Sequence, residues 1–190
     1  MVMQALIDIL NDLGQPTGRK TTIDEATNKG YWHLGAHAII YTPSGSVIVQ
    51  KRAHNMYFHP DMLDLSVGGF VDSHETPEQA IIREIKEELG ISVTHSQLTS
   101  TGVTKYNHHW PSYRKVSRSF IYRYLVRVEN EHVKIVTQAS EVAWAKFISM
   151  KEVKQLLRDG EEKTLGRLEP TFAYYREILE ELEKKLNSVS

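Results

Sequence analysis

Gly69-Phe70-Val71-Asp72-Ser73-His74-Glu75, followed eight residues after its last member by Arg83-Glu84-Ile85-Lys86-Glu87-Glu88-Leu89-Gly90-Ile91, is the stretch that decides the fold and the chemistry. Thr76 serves as an N-cap, Pro77 sits where an N1 proline is tolerated, and Gly90 ends the run, so a helix is predicted over 77–89. Side chains three and four apart share one helix face, which makes Glu84, Glu87 and Glu88 converge. Ile81, Ile82, Ile85 and Leu89 form the neighbouring face, apolar enough to be buried against a sheet. Like charges at these spacings repel by roughly 0.2–0.5 kcal/mol per pair on an exposed helix. A hard divalent cation removes that penalty, because Mg²⁺ and Mn²⁺ prefer carboxylate oxygens and keep positions open for water and phosphate. Arg83 can reach Glu87 one turn later and orient it. Gly68 and Gly69 let the backbone approach a metal or phosphate closely, with no Cβ in the way. Clustered glutamates usually mark a solvated helix face; here the full spaced pattern outweighs that reading.

Working outward, residues 5–22 read as two short extended runs around Asp12-Leu13-Gly14-Gln15, with a short helix from Ile23 to Gly30. Residues 33–42 and 46–52 alternate as strands do and flank the turn Pro43-Ser44-Gly45, which makes a hairpin. Residues 51–65 read as an irregular surface loop. Strands are expected at 98–106, 116–128 and 142–148, and helices at 150–158 and 169–186. The last helix carries an apolar stripe of Phe172, Tyr175, Ile178, Leu179 and Leu182, read as core or as a homodimer contact. The expected class is α+β: a mixed β-sheet sandwiched between helices, with an N-terminal β-hairpin and a C-terminal helix. One domain is expected over 1–190, with a hairpin extension at 1–30, a core at 31–160 and the C-terminal helix at 165–190.

Composition narrows the class. The 190 residues suffice for one ordinary core, and a formal net charge of −1 creates no field that would gather nucleic acid or anionic membrane. Any bound phosphate must therefore be held locally. The absence of cysteine excludes disulfides, thiolate metal sites and a cysteine nucleophile. No apolar run approaches the ~20 residues that span a bilayer, and no secretory leader is evident, so a cytoplasmic location is expected.

The spaced pattern resembles the Nudix box, G-x5-E-x7-R-E-U-x-E-E-x-G-U, where U is aliphatic. Gly69, Glu75, Arg83, Glu84, Ile85, Glu87, Glu88, Gly90 and Ile91 fill its nine fixed positions within 23 residues. The resemblance implies Mg²⁺- or Mn²⁺-dependent hydrolysis of a nucleoside diphosphate linked to another group. By the same resemblance Glu84 and Glu88 are principal metal ligands, and Glu87 is a further ligand or water-positioning carboxylate. The Gly68 carbonyl completes the shell. Arg83, Glu87 and Glu88 are the catalytic candidates, with Glu141 an alternative general base outside the box.

Trp32-His33-Leu34 and Gln50-Lys51-Arg52-Ala53 extend the likeness to the isopentenyl-diphosphate-isomerase-like branch, which holds isomerases and hydrolases. Where the isomerases carry a cysteine and a histidine, this chain has Gly68 and Phe70, and Arg118 is the nearest match to their strand glutamate. The hydrolase reading is therefore preferred. A catalytically silent ligand-sensing module is the main alternative, and isomerisation the weaker one. For substrate binding, Arg52 suits phosphate through its planar fork. Gly69 offers close backbone approach. Tyr57, and Trp110 in an aromatic loop read at 106–111, are candidates for stacking on a base. Lys51 alternates to the side opposite Arg52. His33 and His37, four apart on a strand, read as packing or surface residues rather than a zinc site, since no third ligand is evident.

Overall fold

The computed structural model describes residues 5–160, 163–167 and 169–188. Strands β1 (Leu6–Leu10) and β2 (Pro16–Thr22) pair antiparallel, and helix α1 (Ile23–Lys29) follows, as the opening segment implies. Strands β3 (Trp32–Tyr41) and β4 (Ser46–Arg52) form the expected hairpin. The next stretch departs from expectation. Residues 51–65 are not loop throughout: strand β5 (Leu63–Leu65) closes them, with Met62 and Leu65 buried, and β6 (Val67–Phe70) comes directly after. Three- and four-residue strands are too short to display an alternating pattern.

Helix α2 (Pro77–Leu89) has the expected bounds. Its start is a reciprocal cap in which Thr76 Oγ1 accepts from the Gln79 amide at 3.3 Å and the Gln79 side chain accepts from the Thr76 amide at 2.8 Å. Gly90 ends the helix at φ 69°, the left-handed region that a Cβ disfavours. Strands β7 (Leu98–Trp110) and β8 (Lys115–Arg127) make a long hairpin. The loop read at 106–111 is thus strand up to Trp110, which pairs with Lys115, and the turn lies beyond it. Cross-strand pairing overrides the polar, histidine-rich appearance of that segment. Strand β9 (Val142–Ser149), helix α3 (Met150–Arg158) and helix α4 (Glu169–Asn187) complete the order.

Strand β3 organises a mixed sheet. It runs parallel to β8, antiparallel to β6, and turns into β4, which is flanked by β9 and β5. Successive β3 side chains point to opposite faces. Ala36, Ala38 and Ile40 pack with Ala80, Ile81, Ile85 and Leu89 of α2. Ile39 and Tyr41 pack with Val153 of α3 and with Tyr175, Ile178, Leu179 and Leu182 of α4. Ile81, Ile85 and Leu89 are each 0% exposed, and burying such a side chain stabilises by about 1.5–3 kcal/mol. The sheet is therefore covered by helices on both faces, the expected α+β class. The C-terminal stripe is core of this chain, although the Phe172 side chain lies outside the described residues. Among the described residues no helix is long and apolar enough to cross a membrane.

Candidate active site

Packing of the apolar face of α2 fixes where its carboxylates point. Arg83 is the hub. Its Nε and Nη2 donate to the two Glu75 oxygens at 2.8 and 2.9 Å, and Nη1 donates to Glu84 at 2.8 Å and Glu87 at 3.1 Å. A further bond from Nη2 to the Phe70 carbonyl, 3.2 Å, ties the helix to the end of β6. The Arg83 guanidinium beside Glu75 holds that carboxyl below the usual range.

Glu88 turns the other way. It is buried, and its Oε2 accepts from Gln50 Nε2 at 2.8 Å. The three helix carboxylates are thus divided between Arg83 and Gln50 rather than converging on one point. Among the described residues, ligand atoms within 4.8 Å of one another belong instead to Asp72, His74 and Glu75 on the preceding loop, where Glu75 is already held by Arg83. Burial pushes Glu84 up to about 7, against the pull of Arg83, and burial pushes Glu88 well above the carboxylate range. Glu141 adds to both shifts through its charge, and Asp64 adds to that of Glu88. Carboxylates whose ionised form is disfavoured by burial are what a divalent cation would stabilise.

Gly69 is required by geometry. A Cβ there would overlap the Glu84 carboxylate, so the helix glutamate lies directly over the β6 backbone. A Cβ on Gly68 would come within 2.7 Å of His37 Cδ2 on the other side. The N-terminal hairpin reaches the same loop: the Ser73 amide donates to the Leu6 carbonyl at 2.7 Å, and Lys20 Nζ to Ser73 Oγ at 3.0 Å. At the far end of α2, the Val136 and Gln138 amides donate to the Leu89 and Glu88 carbonyls at 2.8 and 3.0 Å. Gln138 Nε2 in turn donates to Glu141 at 3.1 Å. That loop is what carries Glu141 to the carboxylates.

Arg52 and Lys51 find different acidic neighbours. Lys51 pairs with Asp61 at 2.8 Å, whereas Arg52 Nη1 lies 3.9 Å from Asp64 and its Nε donates to the Phe58 carbonyl at 3.1 Å. Tyr57 and Trp110 fall into one aromatic cluster. Phe58 lies between them, its ring centroid 4.8 Å from that of Tyr57 and 5.0 Å from that of Trp110, with Tyr113 at 5.1 Å. Tyr57 is 65% exposed, an open apolar face at the edge of this cluster. His33 and His37 are both buried and do not meet: His33 stacks on Phe70 and His37 against Tyr174.

Sequence reasoning missed Gln50, Asp64 and Tyr175 as parts of this region. Gln50 and Asp64 stand opposite each other across β4 and β5, and Tyr175 reaches Asp64 from α4. A buried amide inside an apolar strand (Val47-Ile48-Val49-Gln50) is the one local signal that was available.

A family model described as the NUDIX domain matches residues 31–172. An uncharacterized Nudix hydrolase of Listeria monocytogenes is 30% identical over 154 residues, covering 81% of this chain and 85% of that protein. A crystal structure from Deinococcus radiodurans superposes with a TM-score of 0.62 at 18% identity, over 82% of this chain and 90% of that one. A bifunctional NMN adenylyltransferase/ADP ribose pyrophosphatase of Francisella tularensis superposes at 0.50 with 25% identity, over 65% of this chain and 35% of that one.

Proposed function

The chain belongs to the Nudix hydrolase family, and on that premise we propose that it is a Mg²⁺- or Mn²⁺-dependent pyrophosphohydrolase acting on a nucleoside diphosphate linked to a second group. The observation that carries this reading is the placement of two helix carboxylates: Glu84, half-buried over the Gly69 backbone and paired with Arg83, and Glu88, buried and accepting from the neutral Gln50 amide. Glu84, Glu88 and Glu87, with the Gly68 carbonyl, would hold the metal. When bound, a divalent ion polarises a diphosphate and lowers the pKa of a coordinated water.

The chain's own residues do the rest. Arg83 holds Glu75, Glu84 and Glu87 in register, and Gln50 fixes Glu88. Arg52 contacts the diphosphate. Gly69 keeps the backbone beneath it clear, and Tyr57 and Trp110 offer ring faces to a base. The proton of the attacking water passes to a carboxylate of this group. Glu87 and Glu88 are bonded to Arg83 and Gln50 respectively; Glu141 is the member held by neither.

The test is a panel of nucleoside diphosphates, dinucleotides, nucleotide sugars and ADP-ribose, with Mg²⁺ and Mn²⁺ and with products identified. ADP-ribose is included because a structural neighbour is an ADP ribose pyrophosphatase. Turnover of one member, lost in Glu88→Gln, is expected. Metal-independent binding without turnover supports a ligand-sensing module instead, and proton exchange in isopentenyl diphosphate supports an isomerase.

A further inference from the structure

Asp64 is a buried carboxylate that the glutamate helix does not use. It is 8% exposed and lies on β5 directly opposite Gln50 of β4. Its Oδ1 accepts from the Tyr175 hydroxyl of α4 and from the Leu65 amide, the latter at 2.8 Å. Its Oδ2 faces Arg52 Nη1 at 3.9 Å. That separation is too long for a hydrogen bond, so Asp64 attracts the guanidinium without occupying its Nη donors. The Phe58 carbonyl, accepting from Nε at 3.1 Å, fixes the other side of the same group. A guanidinium anchored at Nε and drawn at Nη1 presents its remaining N–H groups in a set plane, which phosphate recognition needs.

Tyr175 is what keeps the arrangement open. With Oδ1 engaged by two donors, Asp64 cannot swing fully onto Arg52. Without the hydroxyl, the carboxylate would be free to close into a short, two-pronged ion pair that withdraws Arg52 from any incoming anion.

We propose that Asp64 and Tyr175 are positioning residues for Arg52, through which the C-terminal helix sets the diphosphate-binding edge of the site. This rests on the reading of Arg52 as the phosphate contact. Tyr175→Phe keeps the ring in the core and removes only the hydroxyl. Asp64→Asn keeps an acceptor for Tyr175 and Leu65 and removes the charge that faces Arg52.

The experiment is calorimetric titration of the full chain with imidodiphosphate, a non-hydrolysable diphosphate, at saturating Mg²⁺. Arg52→Ala is expected to weaken binding about tenfold or more, and Tyr175→Phe and Asp64→Asn roughly fivefold each. In the Arg52→Ala background, Tyr175→Phe is expected to add no further loss, while Mn²⁺ affinity stays at the wild-type value in Tyr175→Phe. Wild-type affinity in Tyr175→Phe and Asp64→Asn, with Arg52→Ala impaired, overturns the proposal and leaves the Arg52 reading intact. So does an equal loss from Tyr175→Phe in both backgrounds, because the effect is then general packing. Wild-type affinity in Arg52→Ala removes the Arg52 reading itself, and the proposal with it.

Discussion

Gln50 Nε2 donates to Glu88 Oε2 at 2.8 Å across the space between β4 and α2, and both side chains are buried. The amide favours the ionised form of Glu88 against the opposing effect of burial. Replacing it with leucine keeps the volume and removes the donor. Gln50→Leu is therefore expected to weaken Mn²⁺ binding by about ten- to a hundredfold, the range typical of lost partners behind metal ligands. Calorimetric titration with the metal alone measures this, and unchanged affinity would refute the role.

Gly69→Ala should be more damaging than a strand glycine change usually is. The added Cβ occupies the place of the Glu84 carboxylate, so the glutamate must leave or β6 must shift. We expect at least about a tenfold loss of Mn²⁺ affinity, with α2 still folded by circular dichroism. Gly68→Ala meets the edge of the His37 ring instead, and its effect should fall mainly on melting temperature.

Glu84 makes metal-free stability depend on pH. Its pKa is raised from 4.5 to about 7, first by burial. A carboxyl whose folded pKa is raised contributes stability that is complete below the unfolded value and is lost as pH climbs through the folded one. Unfolding in chelator should therefore show a loss of about 3 kcal/mol between pH 4.5 and 7 from this group, with the opposing pull of Arg83 already included. Glu84→Gln should flatten that part of the profile, and saturating Mg²⁺ should do the same in the wild type. An identical slope in Glu84→Gln would sink the prediction.

His37 acts in the opposite sense. Burial lowers its pKa from 6.5 to about 4, with Asp64 opposing. The unfolded chain binds the proton first, so stability falls as pH drops from 6.5 towards 4, by about 3 kcal/mol in all. His37→Gln should remove that fall while leaving the Glu84 slope. Denaturant titrations of both variants at matched pH separate the two effects, and persistence of the acid-side loss in His37→Gln would assign it elsewhere.

Helix α2 and its box were legible because everything that defines them is local. Thr76, Pro77, Gly90 and the spacing from Glu75 to Glu88 lie within one short segment, and the structure keeps the helix bounds. The β3–β4 hairpin, β9 and α3 were legible for the same reason. Strands β5 and β6 were not, because three or four residues hold no period. Nor was the continuation of β7 to Trp110, since only its pairing with β8 makes that segment a strand. At the site, the contact of Arg83 with Glu87 could be placed from spacing, but the parting of Glu88 from Glu84 and Glu87 towards Gln50 could not. The donors that hold the remaining groups could not: Gln50 reaches a residue 38 positions away, and Tyr175 one 111 positions away. Such contacts are products of the sheet order, which no local pattern encodes.

The aromatic cluster has its own consequence. Tyr57 and Phe58 come from the connection between β4 and β5, and Trp110 and Tyr113 from the tip of the β7–β8 hairpin. Neither segment belongs to α2 or to the loop that leads into it. On the proposed function, base recognition and bond cleavage would be lodged in separately mutable stretches of chain, so drift in one need not disable the other. A chain built this way would then change its base preference through the β4–β5 connection and the tip of the β7–β8 hairpin while α2 is inherited unchanged.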